Sequence, residues 1–280
     1  MRLGFVTSVK LGLSCIEKIY DLGFKLEIAI TLKDELAKKK SGRIYLDEFC
    51  LKHDLELVKI KNVNEQIVLN KIKEKELDWL FIIGWSQIAK SEILNAPKNA
   101  VIGMHPTLLP QGRGRASIPW AIIKGLKKTG VTAFKLDKGV DTGPIIAQKE
   151  IKISKNETAT TLYEKVNDSH IVLIETILNN INSGNIKLIE QDDTKATEWP
   201  GRKPEDGKLN FEMSVEEVDR LVRATTHPYP GAFLIEGNKK KIIWAGRIAH
   251  EQNNVVANNN ILKFKNGYYK ILDYSVVELD

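Results

Sequence analysis

His105 is the first residue to explain. In "AVIGMHPTLLPQGRGRASIPW" (100–120) it closes a short apolar run, stands directly before Pro106, and leads through Pro110 into a loop with Arg113, Arg115 and two glycines. Imidazole titrates near pH ~6.5, so it exchanges a proton at neutral pH without large tuning. The two prolines fix φ and keep the following chain out of helix. A histidine satisfied by a backbone carbonyl at a sheet end would read the same way. Asp141, in "DKGVDTG" (137–143), supplies a second group. A plain turn accounts for Asp137 and Gly139, but an aspartate beside a histidine also orients the ring and stabilises its protonated form. Such a pair suits acyl transfer, in which a proton moves and a developing oxyanion needs donors.

These residues need a scaffold. "LGFVTS" (3–8), "LEIAITL" (26–32), "LELVKI" (55–60), "DWLFIIGW" (78–85) and "AVIGMH" (100–105) are short apolar or β-rich runs. Helix-like segments separate most of them; in "VNEQIVLNKIKEKEL", Ile67, Val68, Ile72 and Leu77 recur near helical spacing. The alternation predicts βαβ units and a parallel sheet, with ligand sites beyond the carboxyl ends of its strands. His105, Gly84, Trp85 and Ser86 all fall at such ends. Residues 129–153 read as two strands joined by the Asp/Gly-rich turn, and 158–182 as a long helix capped by Thr158. The polar stretch "QDDTKATEWPGRKPEDG" (191–207) has a linker's composition. Beyond it, a helix near 214–225 and several short strands, with a hairpin signal at Asn266-Gly267, form a small second unit.

Composition narrows the function. The first βα turn, "TSVKLGLS", lacks GxGxxG, and no P-loop occurs, so a dinucleotide cofactor is not indicated. Cys15 and Cys50 make neither a disulfide framework nor a zinc cluster; buried small hydrophobes in a reducing cytoplasm are expected, with no metal. The net charge of +6 comes from lysines scattered among glutamates, which argues against a nucleic-acid surface. No apolar run is long enough for a membrane span, and the N-terminus does not read as a signal peptide.

"MHPTLLPQGRGRASIPWAIIKG" followed by "TGVTAFKLDKGVDTGPIIAQ" resembles the N10-formyltetrahydrofolate-dependent formyltransferases, whose pattern is Asn-x-His-[Pro/Gly]-[Ser/Thr]-Leu-Leu-Pro, an RG loop and a VDTG-like turn. "RKPEDGKLNF…VDRLVRATTHPYPGAF…IIWAG" is similar to the second domain of methionyl-tRNA and amino-sugar formyltransferases. The resemblance implies an α/β fold: a Rossmann-like formyltransferase domain with a mostly parallel sheet over 1–190, a linker over 191–207, and a small α+β or barrel-like domain over 208–280. It implies His105 as general acid/base, Asp141 as its partner, and N10-formyltetrahydrofolate as co-substrate. A pterin pocket is implied around Ile83, Gly84, Trp85, Gln87 and Ile88, and at Asp137 and Val140, largely through backbone groups. The "GRGRASIPW" loop is closer to the sugar-nucleotide enzymes, so a nucleotide-linked amino sugar is the expected acceptor, with Thr107, Arg113 and Arg115 binding it. Methionyl-tRNA is the alternative acceptor. The resemblance also allows a homodimer.

The family's asparagine, two residues before the histidine, falls on Gly103 here. Losing one oxyanion donor costs about 10²–10³ in rate. Three readings follow: an active branch in which His105, a water or another donor serves, a slow enzyme, or a non-catalytic folate- or nucleotide-binding homologue. The retained pieces favour the first. An asparagine restored at 103 is expected to be tolerated or activating.

Overall fold

The computed structural model describes residues 1–37, 42–249 and 260–279, and in it the apolar runs become strands. They are β1 (Leu3–Val6), β2 (Leu26–Leu32), β3 (Leu57–Ile60), β4 (Trp79–Ile83) and β5 (Ala100–His105). Next come β6 (Arg113–Gly114), β7 (Lys128–Lys135), β8 (Ile145–Lys152) and β9 (Glu198–Trp199). One seven-stranded sheet has the order β3-β2-β1-β4-β5-β7-β8. Pairs β1–β2, β1–β4, β2–β3 and β4–β5 are parallel. Strand order reverses between β1 and β4, the switch point at which doubly wound sheets bind ligands. All four residues of β1 and all six of β5 are buried, as continuous apolar runs in a sheet covered on both faces require. β7 pairs with β5 in the antiparallel sense and sets Thr132 opposite His105.

Contacts divide the chain into two units. The first comprises Met1–Gly114, Gly130–Ile151 and Val166–Glu198; the second comprises Arg115–Thr129, Lys152–Lys165 and Trp199–Asp280. The expected boundary at 190 therefore does not describe the folded chain: 191–198 belong with the first unit, and two earlier segments join the second. Nor is 191–207 a plain linker, since it carries 3-10 turns at Asp193–Lys195 and Pro204–Gly207 with β9 between them.

In the second unit, β10 (Ala232–Glu236), β11 (Lys239–Ala249), β12 (Ile261–Phe264) and β13 (Gly267–Glu278) form an antiparallel sheet. Leu221 and Val222 of the helix Val215–Thr225 join Leu234, Ile243, Phe264 and Tyr269 in one core. Ser214 and Glu217 cap that helix reciprocally. The expected hairpin is present, but its loop residues are Lys265 and Asn266, because Phe264 pairs with Gly267. The Asn266 amide is used at the helix start, accepting from the Val215 N–H at 2.9 Å. The long helix is Ala159–Asn182, and Thr158 Oγ1 accepts from the Thr161 N–H at 3.3 Å, the predicted cap. No helix among the described residues is long and apolar enough to cross a membrane.

Candidate active site

The loop after β5 is held by side chains from β7 and β8. Thr132 Oγ1 donates to the Thr107 carbonyl (2.7 Å) and accepts from the Leu109 N–H (3.0 Å) and from Gln148 Nε2 (2.8 Å). That uses the hydroxyl's full capacity of one donor and two acceptors. Gln148 Nε2 also donates to the Leu109 carbonyl at 2.8 Å. The Thr107 N–H returns to the His105 carbonyl at 2.9 Å. His105 therefore sits at the end of a buried strand whose exit is fixed on both sides.

The residue is 7% exposed, and its ring lies between two acceptors. Nε2 is 2.8 Å from the Gly112 carbonyl, and Nδ1 is 3.4 Å from Asp141 Oδ2. A carbonyl only accepts, so Nε2 carries a proton. The Asp141 carboxylate faces the ring's other nitrogen. The arrangement can take up, hold and return a proton. Asp141 has a left-handed backbone (φ +57°), unusual outside glycine, and Oδ2 also accepts from the Gly114 N–H at 2.9 Å.

The supports come from a stretch whose composition had suggested a linker. Thr197 Oγ1 accepts from the Gly112 N–H (2.8 Å), and its carbonyl accepts from the Arg113 N–H (2.9 Å). Gln191 Nε2 donates to the carbonyls of Asp141 (2.9 Å) and Gly143 (2.7 Å). These residues escaped sequence reading because nothing in their polarity separates them from solvated loop residues.

Arg113 is not presented to a ligand, as had been expected. Its side chain is buried, held by Gln191 Oε1 (2.8 Å from Nη2) and by Asp193 Oδ1 (2.6 Å). A guanidinium drawn out of water needs such partners. Arg115 is exposed, its N–H bonded to the Trp199 carbonyl at 3.0 Å. Thr107 is only 2% exposed, and its hydroxyl is buried with no hydrogen-bond partner among the described residues.

At the end of β4, Ile83 is buried and Gly84 turns the chain with φ +67°, where a side chain would strike Val9. Gln87 then ties the loop down. Its Oε1 accepts from Trp85 Nε1 (3.2 Å) and the Val63 N–H (2.9 Å), and its Nε2 donates to the Lys61 carbonyl (2.8 Å). Ile88 and Val140 stay exposed, at 61% and 49%. Asp137 is used within its own turn, accepting from the Gly139 N–H and from Thr142 Oγ1.

Gly103 lies against Leu136. A Cβ there would lie 2.6 Å from Leu136 Cδ2 and 3.2 Å from its Cγ. The Leu136 N–H is anchored to the Val101 carbonyl at 2.8 Å, so the leucine already fills the space. An asparagine at 103 fits once the tip of the Leu136 side chain swings aside.

His170 went unnoticed in the sequence. It is fully buried on the long helix, with Nδ1 donating to the Val166 carbonyl at 2.8 Å. Burial pushes its pKa down to about 4; the Val166 bond opposes that shift, and the charge of His105 adds to it.

Two family models match this sequence: Formyl transferase over residues 28–177, and Formyl transferase, C-terminal domain, over 202–272. The chain belongs to the formyl transferase family. The bifunctional polymyxin resistance protein ArnA of Wigglesworthia glossinidia brevipalpis is 33% identical over 241 residues, 86% of this chain and 36% of that protein. The chain thus spans about a third of that curated relative's length. Among solved structures, an N-formyltransferase from Helicobacter canadensis, in complex with folinic acid and dTDP-3-aminofucose, has a TM-score of 0.72 at 18% identity, covering 99% of this chain and 98% of its own. Methionyl-tRNA formyltransferase from Clostridium thermocellum has a TM-score of 0.66 at 17% identity, covering 99% of each chain.

Proposed function

We propose that this protein transfers a formyl group from N10-formyltetrahydrofolate to the amine of a nucleotide-linked amino sugar. The observation that carries the reading is the His105 ring held between the Gly112 carbonyl and Asp141 at the carboxyl edge of the sheet. When bound, the folate supplies the formyl group, which passes to the amine as tetrahydrofolate leaves and one proton moves from the amine to N10. His105 donates from Nε2 toward the formyl oxygen as negative charge develops there, in place of its bond to Gly112. Asp141 stabilises the ring as it gains and returns the proton. The exposed apolar side chains of Ile88 and Val140, with the glycine turn at Gly84, suit a flat heteroaromatic ring. Asp137, Ile83, Trp85 and Gln87 shape those loops. Arg115, the exposed arginine, is assigned to the diphosphate, whose oxygens match a guanidinium fork.

Incubation with N10-formyltetrahydrofolate and a panel of amino-sugar nucleotides and charged tRNA, read by product mass, tests this. A formyl group gained on an amino-sugar nucleotide is expected. Gain only on tRNA would transfer the assignment to methionyl-tRNA formylation. Gly103 favours one further reading, a folate- or nucleotide-binding homologue without turnover; binding without tetrahydrofolate release across the panel would establish it.

A further inference from the structure

We propose that Gln191 is a positioning residue for Asp141, and through it for His105. The inference rests on the reading of those two as catalytic. Asp141 holds a left-handed backbone, which aspartate adopts more readily than most non-glycine residues but which still leaves its peptide groups to be held in place. The group bonded to those peptide carbonyls is the Gln191 amide. Its two N–H bonds are spent on the carbonyls of Asp141 and Gly143, which flank Thr142, at 2.9 and 2.7 Å.

The orientation of that amide is itself fixed. Gln191 Oε1 accepts from Arg113 Nε (3.2 Å) and Nη2 (2.8 Å). A guanidinium has no acceptor, so the flipped amide would set donor against donor. Asp193 Oδ1 accepts from the same Nη2 at 2.6 Å. A run of contacts thus leads from Asp193 through Arg113 and Gln191 to the Asp141 peptide. The Asp141 carboxylate, hinged on that peptide, faces His105 Nδ1. On the other side of the ring, Thr197 holds Gly112, whose carbonyl takes Nε2. One short segment therefore sets both partners of the histidine.

Gln191→Glu separates donation from packing: it keeps the shape and an acceptor for Arg113 but has no N–H for the two carbonyls. Turnover of the protein is expected to fall about tenfold, by analogy with the loss when a partner that orients a metal-ligating side chain is removed. KM for both substrates should stay within about twofold, since binding contacts are untouched. The His105 ring signals in an NMR pH titration should move toward those of Asp141→Asn. In the Asp141→Asn background, Gln191→Glu should add little further loss. Unchanged turnover and an unchanged His105 titration would overturn the proposal, as would losses that multiply in the double variant. Gln191→Ala and Arg113→Lys give the same readouts if the glutamate variant does not fold. If His105→Ala and Asp141→Asn keep full turnover, the catalytic reading fails instead, and the His105 titration still decides whether Gln191 positions Asp141.

Discussion

Leu136 and Gly103 are neighbours: a Cβ at 103 would lie 2.6 Å from Leu136 Cδ2, so any side chain there requires the leucine tip to move. Leu136 also packs against the core cluster that holds Ile82 and Val101. The atom met is the far end of a flexible, partly buried side chain, so Gly103→Asn alone is expected to destabilise by no more than about 1 kcal/mol, the low end of overpacking costs. Combined with Leu136→Ala, the asparagine gains room, and the two changes should couple favourably by about 0.5–1 kcal/mol in a denaturation cycle. Additive effects would show that the leucine does not confront position 103. Turnover of the double variant tests whether an added donor helps the reaction.

His105→Ala should lower turnover by about 10²–10⁴-fold, the range for a lost general acid/base. Its melting temperature should change little, because a strand-end ring contributes a small part of the buried surface. Asp141→Asn should also lose rate while staying folded, since asparagine tolerates left-handed backbone better than most residues. Asp141→Ala should be less stable than Asp141→Asn. Single-turnover kinetics with thermal melts would separate the two effects.

His170 makes stability depend on pH. Its folded pKa is depressed to about 4 by burial, against an unfolded value near ~6.5, so the unfolded chain binds the proton first. Stability from this residue is complete above pH ~6.5 and is lost as pH falls toward about 4, on the order of 3 kcal/mol in all. His170→Gln removes the titrating ring. Urea midpoints measured across that window should fall less steeply in the variant; equal slopes would assign the acid sensitivity elsewhere.

Both cysteines are buried, and burial pushes both thiols up, Cys50 to about 11 with the charge of Asp47 adding to the effect. The thiolate is the reactive form. Native protein at neutral pH should therefore react slowly with a thiol-specific chromogenic disulfide, and denatured protein should release the colour of two thiols at once. Fast labelling of the native chain would contradict the burial of Cys15 and Cys50.

The strands were legible because each is a short apolar run bounded by turn residues, and the runs at 26–32 and 100–105 match β2 and β5 residue for residue. His105 and Asp141 were legible as a pair from their flanking prolines and glycines. Thr132 and Gln148 were not, since a polar residue in a strand does not disclose which loop it will hold. Gln191 and Thr197 were harder still. Their partners lie 50 and 85 residues away in the sequence, a separation that no local pattern encodes. Arg113 misled for a related reason: a cationic loop invites an anionic ligand, and here the anion is Asp193 of the same chain.

The position of Gln191 and Thr197 also bears on where this chain can be shortened or recombined with a relative. A cut at residue 190, where the composition changes, would leave β1–β5, β7 and β8 in place and remove both side chains that hold the histidine's partners. The product would keep the sheet and lose the alignment of its reactive groups. The first unit ends at Glu198, so a chimaera joined there keeps 191–198 with the sheet and also carries 115–129 and 152–165, which belong to the second unit.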